Sequence, residues 1–104
     1  MKYYLVISTV PNQRIAAKIS KQLLKEKLCA CVNVTDGVKS YFWWKSKIDQ
    51  AKEIILHIKT TQSKLKKLIA RVEELHPYDA PEVISIEIKE ANKKYLNWID
   101  QNVR

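Results

Sequence analysis

The sequence predicts an α+β fold built on one antiparallel sheet, and three observations support this prediction. Strand-like segments and amphipathic helical segments follow one another in the order β-α-β-β-α-β, with one more helical segment at the end. The length of 104 residues suits one domain over residues 1–104, because domains typically hold about 100–150 residues. The apolar fraction of 46% is that of an ordinary globular protein.

The first strand and the first helix are predicted within residues 3–28. Residues 3–10 are β-branched, aromatic and apolar on both faces, which is typical of a strand in the middle of a sheet. Pro11 ends this strand, and Asn12 can cap a helix. An amphipathic helix of about four turns follows. Its apolar side carries Ile15, Ala16, Ile19, Leu23, Leu24 and Leu28, and its basic side carries Arg14, Lys18, Lys21 and Lys25.

The middle of the chain predicts a pair of strands rich in aromatic residues. Residues 29–35 and 38–44 are strand-like, and Asp36-Gly37 between them is a turn or bulge signal. Residues 45–52 are polar and are predicted to turn the chain. Residues 53–60 alternate cleanly and form the next strand. One face of that strand carries Ile54, Leu56 and Ile58, and the other carries Ile55, His57 and Lys59.

The second helix and the last strand follow in the same way. Ser63 can cap a helix, which ends before Pro77 because the residue before a proline disfavours helical backbone. Residues 82–89 form the last strand, and Asn92 can cap a C-terminal helix. The apolar stripe of the second helix consists of Leu65, Leu68, Ile69, Val72 and Leu75.

Two right-handed βαβ crossovers in one antiparallel sheet place both helices on the same face, which is the ferredoxin-like arrangement. The opposite face would stay bare in a single copy of the chain. Aromatic residues around Trp43 and Trp44 add further apolar surface on a long hairpin. Exposed apolar surface of this kind predicts a homo-oligomer.

The net charge of +8 comes from 19 Lys and Arg against 11 Asp and Glu. Most of the excess falls in residues 1–52, which hold ten Lys and Arg and three Asp and Glu. Such an excess raises the prospect of an anionic partner. Sixteen of the basic residues are Lys, however, and lysines on a helix face more often form a solvated surface. A nucleic acid is therefore not favoured as a partner.

Several classes of protein are disfavoured by what the sequence lacks. Gly37 is the only glycine, which excludes the glycine-rich phosphate loop and the dinucleotide-binding turn. No run of about 18 apolar residues predicts a membrane span, and the N-terminal segment does not resemble a secretory signal. Two cysteines cannot form a disulfide framework, so we expect a cytoplasmic protein in a reducing compartment.

One pair of side chains suggests metal chemistry, but only weakly. The Cα atoms of Cys29 and Cys31 would lie about 6.6 Å apart on one face of a strand. Their two thiols could there hold Cu(I) or begin a zinc site. No further ligand pair with suitable spacing accompanies them, and small buried cysteines commonly serve packing. His57 lies within a strand beside Ile and Lys, and it is interpreted as a packing or solvated residue.

The segment HPYDAPE at residues 76–82 is the most unusual in the chain. Its two prolines stiffen a loop that carries an imidazole, a phenol and two carboxylates. Rigid placement of polar groups suits a hard-cation or anion site. The alternative is an ordinary turn in which Asp79 and Glu82 pair with nearby lysines, and the sequence leaves both interpretations open.

The aromatic segment at residues 41–44 also allows two interpretations. With Lys39, Lys45 and Lys47 beside it, it could stack the bases of a single-stranded nucleic acid. No glycine-aromatic motif of RNA-binding domains accompanies it. Packing against another subunit is therefore the preferred interpretation.

Ordered blocks along nearly the whole chain match one known family. The blocks are TVP at 9–11, LCACVN at 28–33, SYFWWKSK at 40–47, IKT at 58–60, HPYDAPE at 76–82 and NKKYLNWI at 92–99. In these blocks the chain resembles the CutA-type divalent-cation tolerance proteins. The resemblance implies a ferredoxin-like subunit in a homotrimer, an architecture similar to PII signalling proteins, tolerance of copper and other divalent ions, and no enzymatic activity.

The resemblance also implies a cleft between subunits. The matching positions are Cys31, Trp44, Lys59, Tyr78 and Glu82. Some bacterial members bind copper through a cysteine on strand one and two histidines at the end of helix two, but here those positions are Ser8, Leu75 and His76. One histidine holds Cu(II) poorly, so His76 would need Asp79, Glu82 or a neighbouring subunit to complete a site.

Two further positions depart from the family pattern, since Phe42 stands where tyrosine is usual and Ser46 where glycine is usual. The predicted function is weak binding of a divalent, copper-like metal ion by a homotrimer, at the boundaries between its subunits. The alternative is a module for small ligands or protein interaction, as in PII signalling proteins, in which lysines of the cleft hold an anion. A third hypothesis is an enzyme that uses Cys31 as its nucleophile.

Overall fold

A computed structural model describes all 104 residues of the chain as four strands and three helices. The elements in chain order are β1 (Tyr3–Val10), α1 (Gln13–Lys25), β2 (Cys31–Trp44), β3 (Lys47–Thr61), α2 (Gln62–Leu75), β4 (Val83–Ile88) and α3 (Lys93–Asn102). This order confirms the predicted β-α-β-β-α-β arrangement with a C-terminal helix.

The four strands form one sheet in the order β2-β3-β1-β4, and all neighbouring strands are antiparallel. The sheet is therefore the predicted ferredoxin-like one. β1 lies inside the sheet, as its apolar sequence predicts, and Val6 pairs with Ile58 on one side and Ser85 on the other.

The hairpin of β2 and β3 is longer than predicted. β2 is one strand from Cys31 to Trp44, and Asp36-Gly37 forms a bulge within it, where the register shifts between Thr35 and Val38. The prediction that residues 45–52 turn the chain is wrong. Only Lys45 and Ser46 form the turn, because both adopt left-handed backbone (φ 50° and 64°) and so close a two-residue hairpin.

The predicted helix caps have different outcomes. The Asn12 side chain accepts a hydrogen bond from the Ile15 amide at 2.9 Å, which confirms the first cap. The prediction for Ser63 is wrong, because β3 runs to Thr61 and α2 begins directly after it. Asn92 precedes α3 as predicted, but its side chain makes no capping hydrogen bond.

The main core lies between the sheet and the helices α1 and α2. It consists of Val6, Val10, Ile15, Ala16, Ile19, Leu23, Leu28, Cys29, Ile54, Leu56, Ile58, Leu68 and Val72. A smaller cluster of Ala30, Ile99 and Val103 packs where α3 covers part of the opposite face. The prediction that Cys29 and Cys31 share a face of a strand is wrong. β2 begins only at Cys31, so Cys29 belongs to the main core while Cys31 lies opposite Lys59 on the other face.

Much of the sheet face opposite α1 and α2 is left apolar and open. Ile84 and Ile86 of β4 face this side and are 48% and 50% exposed. At the hairpin tip Trp43 is 73% exposed, and the hairpin contributes to a long axis of 44 Å against 26 and 23 Å. We call the outward residues of β4 and the hairpin aromatics the open apolar surface. Separately, none of the helices has the length and apolar character that a membrane crossing requires.

Candidate functional site

One polar patch lies on the open face of the sheet, where β2 and β3 pair. Cys31 and Lys59 are register partners on these two strands. The Lys59 ammonium donates to the side-chain oxygen of Asn33 and lies 4.0 Å from the Cys31 sulfur. The Cys31 thiol donates to the same oxygen at 3.8 Å. A thiol, an amine and an amide thus share one place on the sheet, which we call the Cys31 patch.

The two cysteines have different environments. Burial, with the nearby Cys31 sulfur as a smaller cause, raises the pKa of Cys29 to about 12, so the core thiol keeps its proton. At the Cys31 patch, burial first and then the Cys31 sulfur raise the pKa of the Tyr95 phenol, which α3 supplies. Any nucleophile or soft ligand in this chain is therefore Cys31 rather than Cys29.

A second polar cluster lies at the opposite end of β1, where α2 ends. His76 is 7% exposed, and its two ring nitrogens are both engaged. Nδ1 accepts from the Tyr78 amide at 3.2 Å, so Nε2 carries the proton and donates to the Thr9 carbonyl at 2.7 Å. The Tyr78 hydroxyl in turn donates to the buried carboxylate of Glu53 at 2.7 Å. We call these residues the His76 network.

The remaining residues of the loop are exposed. Asp79 and Glu82 point to solvent, and neither takes part in an ion pair. The loop is thus a turn between α2 and β4, as the second interpretation predicts, but the carboxylate-lysine pairs of that interpretation are absent. No group of three or more His, Cys, Asp or Glu in the chain is arranged to hold a metal ion. One chain does not bring His76, Asp79 and Glu82 together as a ligand set.

The copper-binding pattern of some family members is also not rebuilt here. Ser8, at their cysteine position, is fully buried, and its hydroxyl has no hydrogen-bond partner. Leu75, at one of their histidine positions, packs against the main core. Of the three donors in that pattern, only the engaged imidazole of His76 is present in this chain.

The five residues that the resemblance assigns to a cleft lie in separate places on one chain. Cys31 and Lys59 form the Cys31 patch, whereas Tyr78 lies in the His76 network and Glu82 beside it. Trp44 stands at the hairpin tip opposite Lys47, twelve residues along β3 from Lys59. At about 3.3 Å per residue this separation is roughly 40 Å. A single copy cannot form a cleft from all five.

A groove of about 520 Å³ lies between the bulge of the hairpin and the start of α1. Lys39 and Lys52 line it and face each other as register partners, a pairing of like charges that destabilises a sheet. Its two carboxylates already have donors. Asp36 accepts from Gln13 at 3.1 Å and from the Gly37 amide at 2.7 Å, and Glu53 accepts from Tyr78.

Sequence reasoning missed the partners rather than the centres of these sites. Asn33 and Tyr95 complete the Cys31 patch, and Glu53 completes the His76 network. The strand register could have revealed Asn33, because it stands two residues after Cys31 on the same face of β2. No local signal reveals Glu53, which meets Tyr78 across 25 residues.

Comparison with known proteins shows which family and which solved structures this chain resembles. Residues 4–102 match the family model described as CutA1 divalent ion tolerance protein. The divalent-cation tolerance protein CutA of Thermus thermophilus is 40% identical over 97 residues, which are 93% of this chain and 94% of that protein. The chloroplastic protein CutA 1 of Oryza sativa is 41% identical over 95% of this chain and 56% of its own length. A crystal structure of CutA from Xylella fastidiosa has a TM-score of 0.97 at 36% identity, with 100% of both chains covered.

Proposed function

Because this chain belongs to the CutA1 divalent ion tolerance family, we propose that it acts as a homotrimer that binds divalent metal ions weakly, with ligands from more than one subunit. The proposed mechanism of tolerance is coordination of the ion, in which no covalent bond is made or broken. The names of the relatives refer to divalent-cation tolerance, which supports metal binding.

The separation of the family's cleft residues carries the proposal. Cys31, Tyr78 and Trp44 cannot meet within one copy, whereas neighbouring copies would bring different ends of the chain together. The open apolar surface gives a reason for such copies to associate, since half-exposed isoleucines and tryptophans favour burial. Symmetry then repeats each ligand at every subunit boundary.

The proposed ligands are Asp79 and Glu82, with His76 as the nitrogen donor, and they would come from neighbouring copies because one chain does not bring the three together. The two carboxylates are exposed and unpaired, so they are free to take up a cation. His76 must first release the Thr9 carbonyl or the Tyr78 amide, which makes binding weak. Copper is the first ion to test, because imidazole suits copper better than it suits the hard cations.

Thermal unfolding with added CuCl2 tests the proposal. An ion that binds only the folded protein raises its stability by about 1.4 kcal/mol when the free ion is at ten times its dissociation constant. We expect a rise in the unfolding midpoint for the wild type and little or none for the D79N/E82Q variant. The matched control is E73Q/E90Q, which removes the same charge from two other exposed carboxylates and should respond like the wild type.

Three results bear on this proposal in different ways. Equal responses of D79N/E82Q and the control would show that these carboxylates do not bind the ion. The absence of any shift with copper, zinc or manganese would contradict metal binding altogether. An H76Q variant separates the donors further. Its copper response should be lost while its manganese response persists, because manganese prefers oxygen ligands.

A PII-like module for small anionic ligands is the second candidate, and the groove beside α1 favours it. Lys39 and Lys52 repel each other there, and the carboxylates that line the groove already accept hydrogen bonds from other groups. A bound anion would relieve that repulsion. Calorimetric titration with pyrophosphate tests this candidate. Heat that disappears in a K39Q/K52Q variant and persists in D79N/E82Q would favour it over the metal proposal.

We also propose a reducing, cytoplasmic location, because both cysteines are free thiols. The name of the Oryza sativa relative places that protein in the chloroplast, so a relative of this chain can have another location. Fractionation of the native host, followed by detection of the chain with a specific antibody, tests the location directly.

A further inference from the structure

The exposed side of α1 carries four basic residues in a single row. Arg14, Lys18, Lys21 and Lys25 recur every three or four residues, and all four are exposed. At 3.6 residues per turn they fall within an arc of roughly 60° and span about 16 Å along the helix. We call them the α1 basic row.

Nothing in the chain neutralises this row. α1 contains no Asp or Glu, and none of the four residues takes part in an ion pair. The nearest carboxylate in sequence, Glu26, is held by two guanidinium nitrogens of Arg71 at 3.0 and 2.9 Å. Like charges three and four residues apart on a helix repel each other, so the row lowers the stability of α1.

The other two helices also carry lysines, at Lys64, Lys66 and Lys67 in α2 and at Lys93 and Lys94 in α3, but neither helix has an uninterrupted row of four unpaired cations. In α2, Arg71 also meets Glu74, and in the C-terminal segment Arg104 pairs with Asp100. In α2, Glu73 and Glu74 follow the basic residues, so its positive charge does not run along the whole helix. The single row on α1 suits a linear anion, whose charges repeat along one line.

We propose that the α1 basic row binds a linear chain of phosphate groups, as the backbone of a single-stranded nucleic acid presents. Helix geometry gives the four cations a mean spacing of about 5–6 Å, which is similar to the spacing of successive phosphates along a strand. Lys18, Lys21 and Lys25 also border a shallow depression with Gln22 and Leu24, in which a chain could lie. α1 has no aromatic residue to stack a base, so binding is independent of sequence.

Fluorescence anisotropy with a labelled 20-nucleotide oligothymidine tests the proposal. The variants are K18Q/K21Q in the row and K93Q/K94Q in α3, which remove the same charge from exposed positions. We expect the K93Q/K94Q control to bind within about twofold of the wild type and K18Q/K21Q to bind at least tenfold more weakly. The dependence of log affinity on log salt should be about half as steep for K18Q/K21Q, because each phosphate contact on a single strand contributes about 0.7 to the slope.

Folding can be checked separately from binding. Loss of like-charge neighbours should leave the unfolding midpoint of K18Q/K21Q at or above that of the wild type, so weaker binding would not reflect unfolding. Equal weakening in both variants would overturn the proposal, because affinity would then follow net charge alone. Undetectable binding of the wild type at 50 mM salt would overturn it as well.

Competition by inorganic polyphosphate distinguishes the source of the phosphate chain. Displacement at equal phosphate concentration would support a site for phosphate groups alone. Failure of polyphosphate to displace the oligonucleotide would support a site that also requires the sugar backbone.

Discussion

At the scale of single residues, the His76 network links three parts of the chain that lie far apart in sequence. The imidazole joins the end of α2 to the Thr9 carbonyl of β1, and Tyr78 joins the following loop to Glu53 of β3. Each bond satisfies a group that would otherwise be buried without a partner. The loop is therefore fixed by its polar contacts as well as by its prolines. This rigidity holds Asp79 and Glu82 in place at the surface.

The Tyr78 hydroxyl makes this network sensitive to alkaline pH. Burial, followed by the hydrogen bond and negative charge of Glu53, raises the pKa of Tyr78 to about 12. A tyrosine in the unfolded chain titrates near pH 10. The folded state thus holds the proton more tightly, so this contribution to stability is complete below about pH 10 and is lost as the pH rises toward about 12.

A Y78F variant should lose this dependence. At pH 7 we expect its free energy of unfolding to fall by about 1–2 kcal/mol, because the buried Glu53 carboxylate loses a donor. Between pH 9 and 12 its stability should fall less steeply than that of the wild type. Urea unfolding at one protein concentration measures both effects. Y41F, which alters a tyrosine that is 65% exposed, is the matched control. Parallel pH profiles for Y78F and the wild type would contradict the assignment.

At the scale of elements, periodicity predicted the helices and the inner strands well, since both bury one regular stripe. Ile54, Leu56 and Ile58 face the core as their alternation predicts. The hairpin was predicted less well, because residues 47–52 form strand without burying side chains against α1 or α2 and so show no apolar alternation. The Ser63 cap failed for a related reason, since strand β3 passes directly into α2.

The turn between β2 and β3 offers a test of local strain. Lys45 and Ser46 both have positive φ, a conformation that residues other than glycine, asparagine and aspartate resist. S46G should therefore raise the free energy of unfolding by up to about 1 kcal/mol. Chemical denaturation at a fixed protein concentration measures the change.

The bulge glycine provides the opposite control. Gly37 has φ 77°, and a Cβ added there would meet no atom within 4 Å. G37A should therefore lose stability through backbone strain alone, by about 1 kcal/mol. A lower free energy of unfolding in S46G, or an unchanged one in G37A, would show that backbone strain at these two positions does not determine the stability of the hairpin.

At the scale of the whole molecule, the sequence supplied candidate site residues, but it did not predict where in the fold they lie relative to one another. The family blocks pointed to Cys31, Lys59 and Tyr78. The strand register shows that Cys31 and Lys59 meet. The hydrogen bonds of the His76 network show that Tyr78 lies at the other end of β1. Asn33 and Glu53 depend on contacts between distant segments, which no local pattern encodes. The open apolar surface was predictable, because a ferredoxin-like sheet with helices on one face leaves the other face bare.

If copies of the chain close over the open apolar surface, a charge placed there should separate them. Ile86 is 50% exposed on the face of β4 that points away from α1 and α2. Light scattering should give about three chain masses for the wild type, against the single-chain mass of 12.2 kDa for I86E. An unpaired carboxylate buried between subunits is strongly unfavourable, whereas in a free chain the introduced carboxylate would remain in water.

A70E, on the exposed side of α2, should keep the wild-type mass, and circular dichroism should report the same secondary structure for all three proteins. A wild type of single-chain mass would contradict the trimer, and an I86E protein of unchanged mass would place the contact between copies elsewhere.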